Sequence, residues 1–374
     1  MSRRILFVLR YHYLRYTGGA EMQAAMIARE LAKRGWDVHY ASETAALPET
    51  NPLDGVTLHA LPENPSYWKG NRTPLRELII DLKPNVVYTR TFDPYIGYVV
   101  KDKPPESMVI WAAAADGDVR AWPYLMQGWR TLPLWLFLKR FPVYAYQNSI
   151  ARRGRAGADI VLVQHRDQQD RLTKLGIHSE LLRNSHPPVP ESDVQKHAGV
   201  PVITWVDSIR SRKRPELFLE LVQRCRDLDA QFVMIGYVHE PRYSELIEVT
   251  KRIAPNFRYD GFIPLNIVNH YFRAAHVHVK TALPVEGFPN TFIQAWMHGV
   301  PVVSLDTDPE QLIRARGLGS FCNDLSALEQ AVRELARNSD RRREIGQRAR
   351  AFAIDEFDLQ KNIDRLERLI ETRQ

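Results

Sequence analysis

Ala275-His-Val-His-Val279, Glu286-Gly-Phe-Pro-Asn-Thr-Phe-Ile-Gln-Ala-Trp296 and Val300-Pro-Val-Val-Ser304 follow one another closely in this chain. The first run is apolar and short, which predicts a strand. The second opens a helix that runs to His298, with Gly299 placed to stop it, and the third predicts the next strand. Strand, loop, helix, strand is the unit of a parallel sheet with helical crossovers. An acid, Glu286, sits in the loop. The first amides of a helix lack intrahelical acceptors and lie at the positive end of its dipole, so they favour an anion. An acid beside an anion site suits a ligand with both phosphate and hydroxyls, such as a nucleotide sugar. A charged loop before an ordinary helix is the alternative, and this stretch alone leaves both open.

The same alternation extends along the chain. In the first half, strands are expected at Ile5–Leu9, Val38–Ala41, Val56–His59, Val86–Tyr88, Met108–Trp111 and Ile160–Val163. A helix with Ala24, Ile27, Ala28 and Leu31 on one face follows the first strand, and Gly35 is placed as its C-terminal stop. Asn184-Ser-His-Pro-Pro-Val-Pro190 and the polar run to Gly199 break the pattern and read as an interdomain linker. Strands resume at Val202–Val206, Phe232–Ile235, Phe257–Tyr259, Val277–Val279 and Pro301–Ser304. The expected architecture is α/β, with two Rossmann-like doubly wound domains facing a cleft. They span 1–186 and 187–354. A helix at 355–374, striped by Leu359, Ile363, Leu366 and Ile370, is a candidate to return to the first domain.

At 374 residues the length suits two domains, and 44% hydrophobic with 25% charged residues is a globular composition. Cys225 and Cys322 form no motif, which points to a reducing, cytoplasmic compartment. Met1–Arg10 has basic residues before an apolar run, but that run is too short for a signal peptide and reads as a first buried strand. No stretch has the ~18 apolar residues of a membrane span.

The formal charge of +7 equals that of one segment. From Val119 to Ala158 there is no acid, but there are seven cations and eight aromatics, including Trp129, Trp135, Lys139 and Arg140. Basic plus aromatic fits an anionic membrane surface or nucleic acid. No helix-turn-helix, zinc or RNA-binding motif is visible, so nucleic acid is not expected as a partner. Pro123, Pro133 and Pro142 interrupt the segment as a helix. A packed helical layer or a dimer contact is the alternative.

Gly18-Gly19 follows the first strand in a loop without the Gly-x-Gly-x-x-Gly pattern of dinucleotide oxidoreductases. Arg210, Arg212, Lys213 and Arg214 crowd a loop before Pro215, which suits a first helical turn. Such a cluster can neutralise a diphosphate or be a solvated basic loop. Asp306-Thr-Asp308 has Asp-x-Asp spacing, but Pro309 makes Asp308 a helix cap rather than a metal ligand. His276 and His278 read as structural.

Together these residues resemble the family 4 retaining glycosyltransferases of the two-domain GT-B fold. The resemblance covers almost the whole chain. It runs through Gly18-Gly-Ala-Glu21, Ala158–Val163, Asn184, Val206–Lys213, Gly236, Gly261-Phe-Ile-Pro264 and Glu286–Phe292, then Gly299–Val303. It implies metal-independent transfer from a nucleotide sugar, with no cofactor, to a glycan or lipid-linked acceptor. The expected setting is surface polysaccharide synthesis at the inner face of the cytoplasmic membrane. Donor contacts are expected from Gly18, Gly19, Ser208, Arg210, Arg212, Lys213, Gly236, Tyr237, Phe262, Ile263, Glu286, Gly287, Phe288, Pro289, Asn290, Thr291 and Gln294. Glu286, Lys213 and Asp116 are the catalytic candidates, and Asp118 joins Asp116 in acceptor positioning.

Three positions depart from the family. Gln294 replaces the second acid of the Glu-x7-Glu pair, Ser208 replaces an Arg, and Ala115 stands where a His is usual. They point to the competing expectation of a non-catalytic nucleotide-sugar-binding or scaffold protein, but the intact Glu286, Lys213 and Gly18-Gly19 weigh more strongly for the transferase. A GT-B epimerase or phosphorylase is a weaker alternative, because the signatures of those enzymes are not evident.

Overall fold

The computed structural model describes residues 3–13, 18–45, 47–48, 51, 53–63, 67–195, 198–284 and 286–373. The chain divides into two compact units, one of residues 1–184 with 360–374 and one of 185–359.

In the first unit seven strands form an all-parallel sheet. They are β1 (Arg4–Tyr11), β2 (Asp37–Glu43), β3 (Val56–Leu61), β4 (Val86–Arg90), β5 (Met108–Ala112), β6 (Ile160–Val163) and β7 (Glu180–Leu181), in the order β3-β2-β1-β4-β5-β6-β7. β4 and β5 are buried along their whole length, as strands covered by helices on both faces must be. The helix Gly19–Lys33 buries Ala24, Ile27, Ala28 and Leu31, and Gly35 beyond it has φ +86°, the left-handed conformation that ends helices.

The helix Leu359–Glu371 supplies the C-terminal part of this unit. Its apolar stripe, Ile363, Leu366 and Ile370, is buried. On its polar side Arg34 bonds Asp364 at 2.5 Å and Glu367 at 2.7 Å, and Trp36 donates its indole N–H to Glu367 at 2.8 Å.

The second unit has β8 (Val202–Val206), β9 (Gln231–Ile235), β10 (Phe257–Tyr259), β11 (Val277–Lys280), β12 (Val302–Leu305) and β13 (Gly319–Cys322), in the order β10-β9-β8-β11-β12-β13. These strands are also all parallel. In both sheets the chain winds outward one way from the first strand, then restarts on its other side. Ligands of such sheets bind beyond the strand C-termini where the direction reverses, which in this unit is between β8 and β11.

Two readings are corrected. β7 and β13 were not expected. They are short edge strands, and β13, Gly-Ser-Phe-Cys with its first three positions half-buried, gives no apolar run. Pro142 does not interrupt the basic aromatic segment, because one helix, Leu134–Ala156, continues through it. Proline removes one N–H there, the bond that would reach Leu138. The two units divide between Asn184 and Ser185, at the start of the residues read as a linker; there Asn184, Ser185, His186 and Val189 are buried, and the His186 backbone bonds Phe357 and Leu359.

Candidate functional site

In the second unit four charged side chains meet beyond the β8 and β11 C-termini. Asp207 follows β8 directly, and Lys280 is the last residue of β11. Lys213 lies in the 3-10 turn Ser211–Lys213 before the helix Pro215–Arg224, and Glu286 lies in the loop before the helix Asn290–Met297. Lys213 Nζ bonds Asp207 Oδ1 at 2.8 Å and also bonds Glu286 Oε1. Lys280 Nζ bonds Asp207 Oδ2 at 2.6 Å and Glu286 Oε2 at 3.2 Å. The result is a closed ring of alternating charge, with each ammonium between two carboxylates and each carboxylate oxygen committed to one lysine.

The ring is mostly removed from water: side-chain exposure is 3% at Lys280, 10% at Lys213, 11% at Asp207 and 16% at Glu286. Burial alone drives both carboxyls toward neutrality. Lys280 and Lys213 outweigh it and hold Glu286 below the usual carboxylate range; for Asp207 the same two lysines do so more strongly. Burial would lower Lys280, but Asp207 and Glu286 raise it above the ordinary lysine range. Burial depresses Lys213, and its positive neighbour Lys280 adds to that while Asp207 opposes it.

The neighbouring loops are joined by backbone bonds. Ile209 N–H donates to Tyr237 O at 2.9 Å, and Gly236 N–H donates to Gly261 O at 2.8 Å. Gly236 has φ +152°, and a Cβ there would stand 1.7 Å from Asp207 O, so no other residue fits. Tyr237 and Phe262 are exposed beside this loop set, whereas Ile263 packs on the core.

Of the basic cluster, Arg214 is spoken for. It has φ +48° and bonds Asp306 Oδ2 at 2.8 Å and Thr281 O at 2.6 Å. Arg212 is exposed, and among the described residues the buried Arg210 Nε meets no hydrogen-bond partner. Ser208 donates its N–H to Asp207 Oδ1 at 2.8 Å.

Among the described residues no side chain caps the helix Asn290–Met297, and the Thr291 hydroxyl in its first turn is buried without a partner. Phe288 is core, tilted against Phe357 at 4.8 Å, and so anchors the loop of Gly287, Pro289 and Asn290. Gln294 is buried, with its amide 3.5 Å from Asn269 Oδ1.

In the first unit Gly18 precedes the helix Gly19–Lys33, and a Cβ at Gly18 would stand 2.2 Å from Glu21 Oε2. That glycine makes room for the buried Glu21 carboxylate, whose pKa burial raises. Residues 14–17 of the same loop lie outside the described residues.

Asp116 is a hub in the first unit. Its Oδ1 meets His165 Nε2 at 2.9 Å and Gln168 Nε2 at 3.0 Å, and its Oδ2 meets Arg171 at 3.1 Å. A histidine thus reaches Asp116 from the loop after β6 rather than from position 115. Asp118 accepts N–H bonds from Ala114 at 2.8 Å and Ala115 at 2.9 Å, which closes its own loop.

Sequence reading missed Asp207, Lys280 and His165. A lysine directly after the strand run Val277–Val279 was the one available signal for Lys280. Asp308 caps the helix Leu312–Arg316 through Ile313 N–H at 2.8 Å. His278 is fully buried against Thr204, and burial lowers it to about 3. No cluster of three or more metal-ligating side chains occurs among the described residues.

Comparison with solved structures decides the architecture. Sucrose-phosphate synthase from Thermosynechococcus elongatus superposes with a TM-score of 0.79 at 14% identity, over 99% of this chain and 98% of that one. HepE of Anabaena in complex with UDP-glucose gives 0.74 at 13% identity, over 99% of each chain. WaaG, a glycosyltransferase involved in lipopolysaccharide biosynthesis, gives 0.70 at 15% identity, over 98% of this chain and 99% of that one. The fold is GT-B. Residues 200–338 match the family model described as glycosyl transferases group 1. That stretch contains the whole charge ring. No curated protein sequence matches the chain.

The helices Pro123–Thr131 and Leu134–Ala156 carry a separate feature of the first unit. Trp129 and Trp135 are 65% and 67% exposed, and Leu134, Leu138, Phe141 and Tyr146 are exposed with them. Arg130, Lys139 and Arg140 are exposed in the same run. Beneath them Phe137 is buried edge-on to Trp129 at 5.5 Å and to Phe141 at 6.0 Å. No helix among the described residues is long and apolar enough to cross a membrane.

Proposed function

We propose that the protein is a retaining glycosyltransferase that moves a sugar from a nucleotide-sugar donor to a glycan or lipid-linked acceptor in surface polysaccharide synthesis. The observation that carries this is the meeting of Lys213 and Glu286 beside the N-terminus of the helix Asn290–Met297, at the switch point of a sheet in the stretch that matches the group 1 glycosyl transferase model. Lys213 and the helix amides receive the donor diphosphate, and Glu286 receives hydroxyls of the transferred sugar. Gln294 faces the ribose as a neutral hydrogen-bonding group. HepE, whose structures hold UDP and UDP-glucose, supports a donor of this class.

The bond from the anomeric carbon to the β-phosphate oxygen breaks, and one from that carbon to the acceptor oxygen forms on the same face. The acceptor proton passes to the leaving phosphate. Preorganised donors that stabilise the developing phosphate charge supply the main catalytic effect, and no metal is required. Asp116, with His165, orders the loop that positions the acceptor.

The exposed aromatic and basic helices of the first unit meet an anionic membrane at the cytoplasmic face and admit a lipid-linked acceptor. Tryptophans favour the interface, and each cation near an anionic surface contributes about 1 kcal/mol. A thermal-shift panel of nucleotide sugars tests the donor, since a ligand bound by the native state raises the midpoint. No shift with any of them would reject the transferase reading. Liposome flotation tests the surface: binding should need anionic lipid, weaken with salt, and be lost when Trp129, Trp135, Lys139 and Arg140 are replaced. Wild-type protein that ignores anionic liposomes at low salt would reject the membrane.

A further inference from the structure

The donor chemistry proposed above uses Lys213 and Glu286 and leaves Asp207 and Lys280 without a role. Yet an unpaired lysine at Lys280's depth costs several kcal/mol. It lies on β11 directly after the fully buried Val279, and it reaches both carboxylates of the ring. Asp207 is bound by both lysines.

The ring is balanced, two ammoniums against two carboxylates. Lys213 is therefore not free to meet a phosphate: it is held by Asp207 and by Glu286. To reach a diphosphate it must release at least one of them. Without Lys280, that release would leave two adjacent buried carboxylates facing an incoming anion. With Lys280 in place, Asp207 Oδ2 and Glu286 Oε2 keep a shared counter-charge.

We infer that Lys280 is a positioning residue that holds Asp207 and Glu286 in place while Lys213 turns to the donor diphosphate, and that Asp207 retains Lys213 when the site is empty. This rests on the donor reading above. The charged groups facing Glu286 are Lys213 from the loop after β8, Lys280 from β11 and Asp207 from the end of β8.

The two residues have opposite expected effects, which a general loss of structure would not produce. Removing Lys280 leaves an excess negative charge, so Lys280→Met weakens diphosphate binding by about tenfold or more. Removing the Asp207 charge frees Lys213, so Asp207→Asn tightens it. Asp207→Asn added to Lys280→Met recovers affinity, and Lys280→Arg retains most of it.

Isothermal titration of the full chain with UDP, GDP and ADP, from pH 5.5 to 8.5, measures these constants; circular dichroism verifies folding. The Lys280→Met to wild-type ratio of Kd should approach one as pH falls, because a carboxylate without its lysine protonates more readily. If wild type binds one of these diphosphates and Lys280→Met binds it equally, the inference fails alone. It also fails if Asp207→Asn weakens binding, which holds even where Lys280→Met does not fold. If wild type binds none of the three and none of their sugars, the donor reading itself fails.

Discussion

Glu286→Ala removes one carboxylate from a ring of four charges and leaves two ammoniums on Asp207 alone. Two costs follow, and they are separable. The first is catalytic: a hydrogen bond from a charged group to a donor hydroxyl is worth about 1.5–3 kcal/mol, or about 10- to 150-fold in kcat/KM. The second is structural. Removing one partner of a buried ion pair costs about 3–5 kcal/mol, against a total stability of about 5–15 kcal/mol. The unit of residues 185–359 is in the size range where each kcal/mol moves Tm by about 2–4 °C.

Glu286→Ala should therefore stay folded with Tm lower by about 6–20 °C, toward the lower end because Lys213 can shed its proton or reach solvent. Glu286→Gln keeps the volume and a hydrogen-bonding oxygen, so it should retain more donor affinity than the alanine variant. The stability difference should depend on pH with a definite sign. The folded pKa of Glu286 is depressed, so its contribution is present above the unfolded value of about 4.3 and is lost as pH falls through the folded value. Wild type and Glu286→Ala should converge in Tm as pH falls below the unfolded value. Steady-state transfer assays with calorimetry measure both costs. Turnover near wild type, with unchanged donor affinity, would remove Glu286 from the site.

Four further outcomes are expected. Asp93, buried after β4 with N–H from Tyr95 at 2.8 Å, is pushed up to about 7 by burial, so stability falls as pH rises from its unfolded value of about 3.9 to about 7 and is flat above that; Asp93→Asn should raise Tm most at pH 8.5, by about half as much at pH 5.5, and little near pH 3.5, as thermal melts at the three pH values would show. Gly236→Ala must displace Asp207 O, which its Cβ would meet at 1.7 Å, and the φ of +152° adds strain; melts should show a loss of several degrees, together with weaker diphosphate binding. Gln294→Glu should change donor affinity severalfold in titration calorimetry, and an unchanged constant would mean that Gln294 does not touch the nucleotide. Transfer should survive excess EDTA, and complete loss restored by manganese or magnesium would overturn metal independence.

The strands were legible because parallel strands covered on both faces are short apolar runs, and Val202–Val206 and Ile160–Val163 were read to the residue. Helix stops were legible because φ near +80° at Gly35 and Gly299 is a local requirement that glycine meets. Lys213 and Glu286 stood out because their surroundings, a cation cluster before a helix and an acid before a helix start, are local too. Edge strands β7 and β13 were not legible, since two or three half-buried residues leave no apolar signal.

Asp207 and Lys280 are 73 residues apart and meet because β8 pairs with β11, strands with two others between them in sequence. Asp116 and His165 are 49 residues apart and meet because β5 pairs with β6. Whether a lone charged residue at the end of a strand is a solvated terminus or part of a buried ring depends on which strand lies beside it. Local propensity carries no record of that choice; the sheet order, set by how helices cover both faces, makes it.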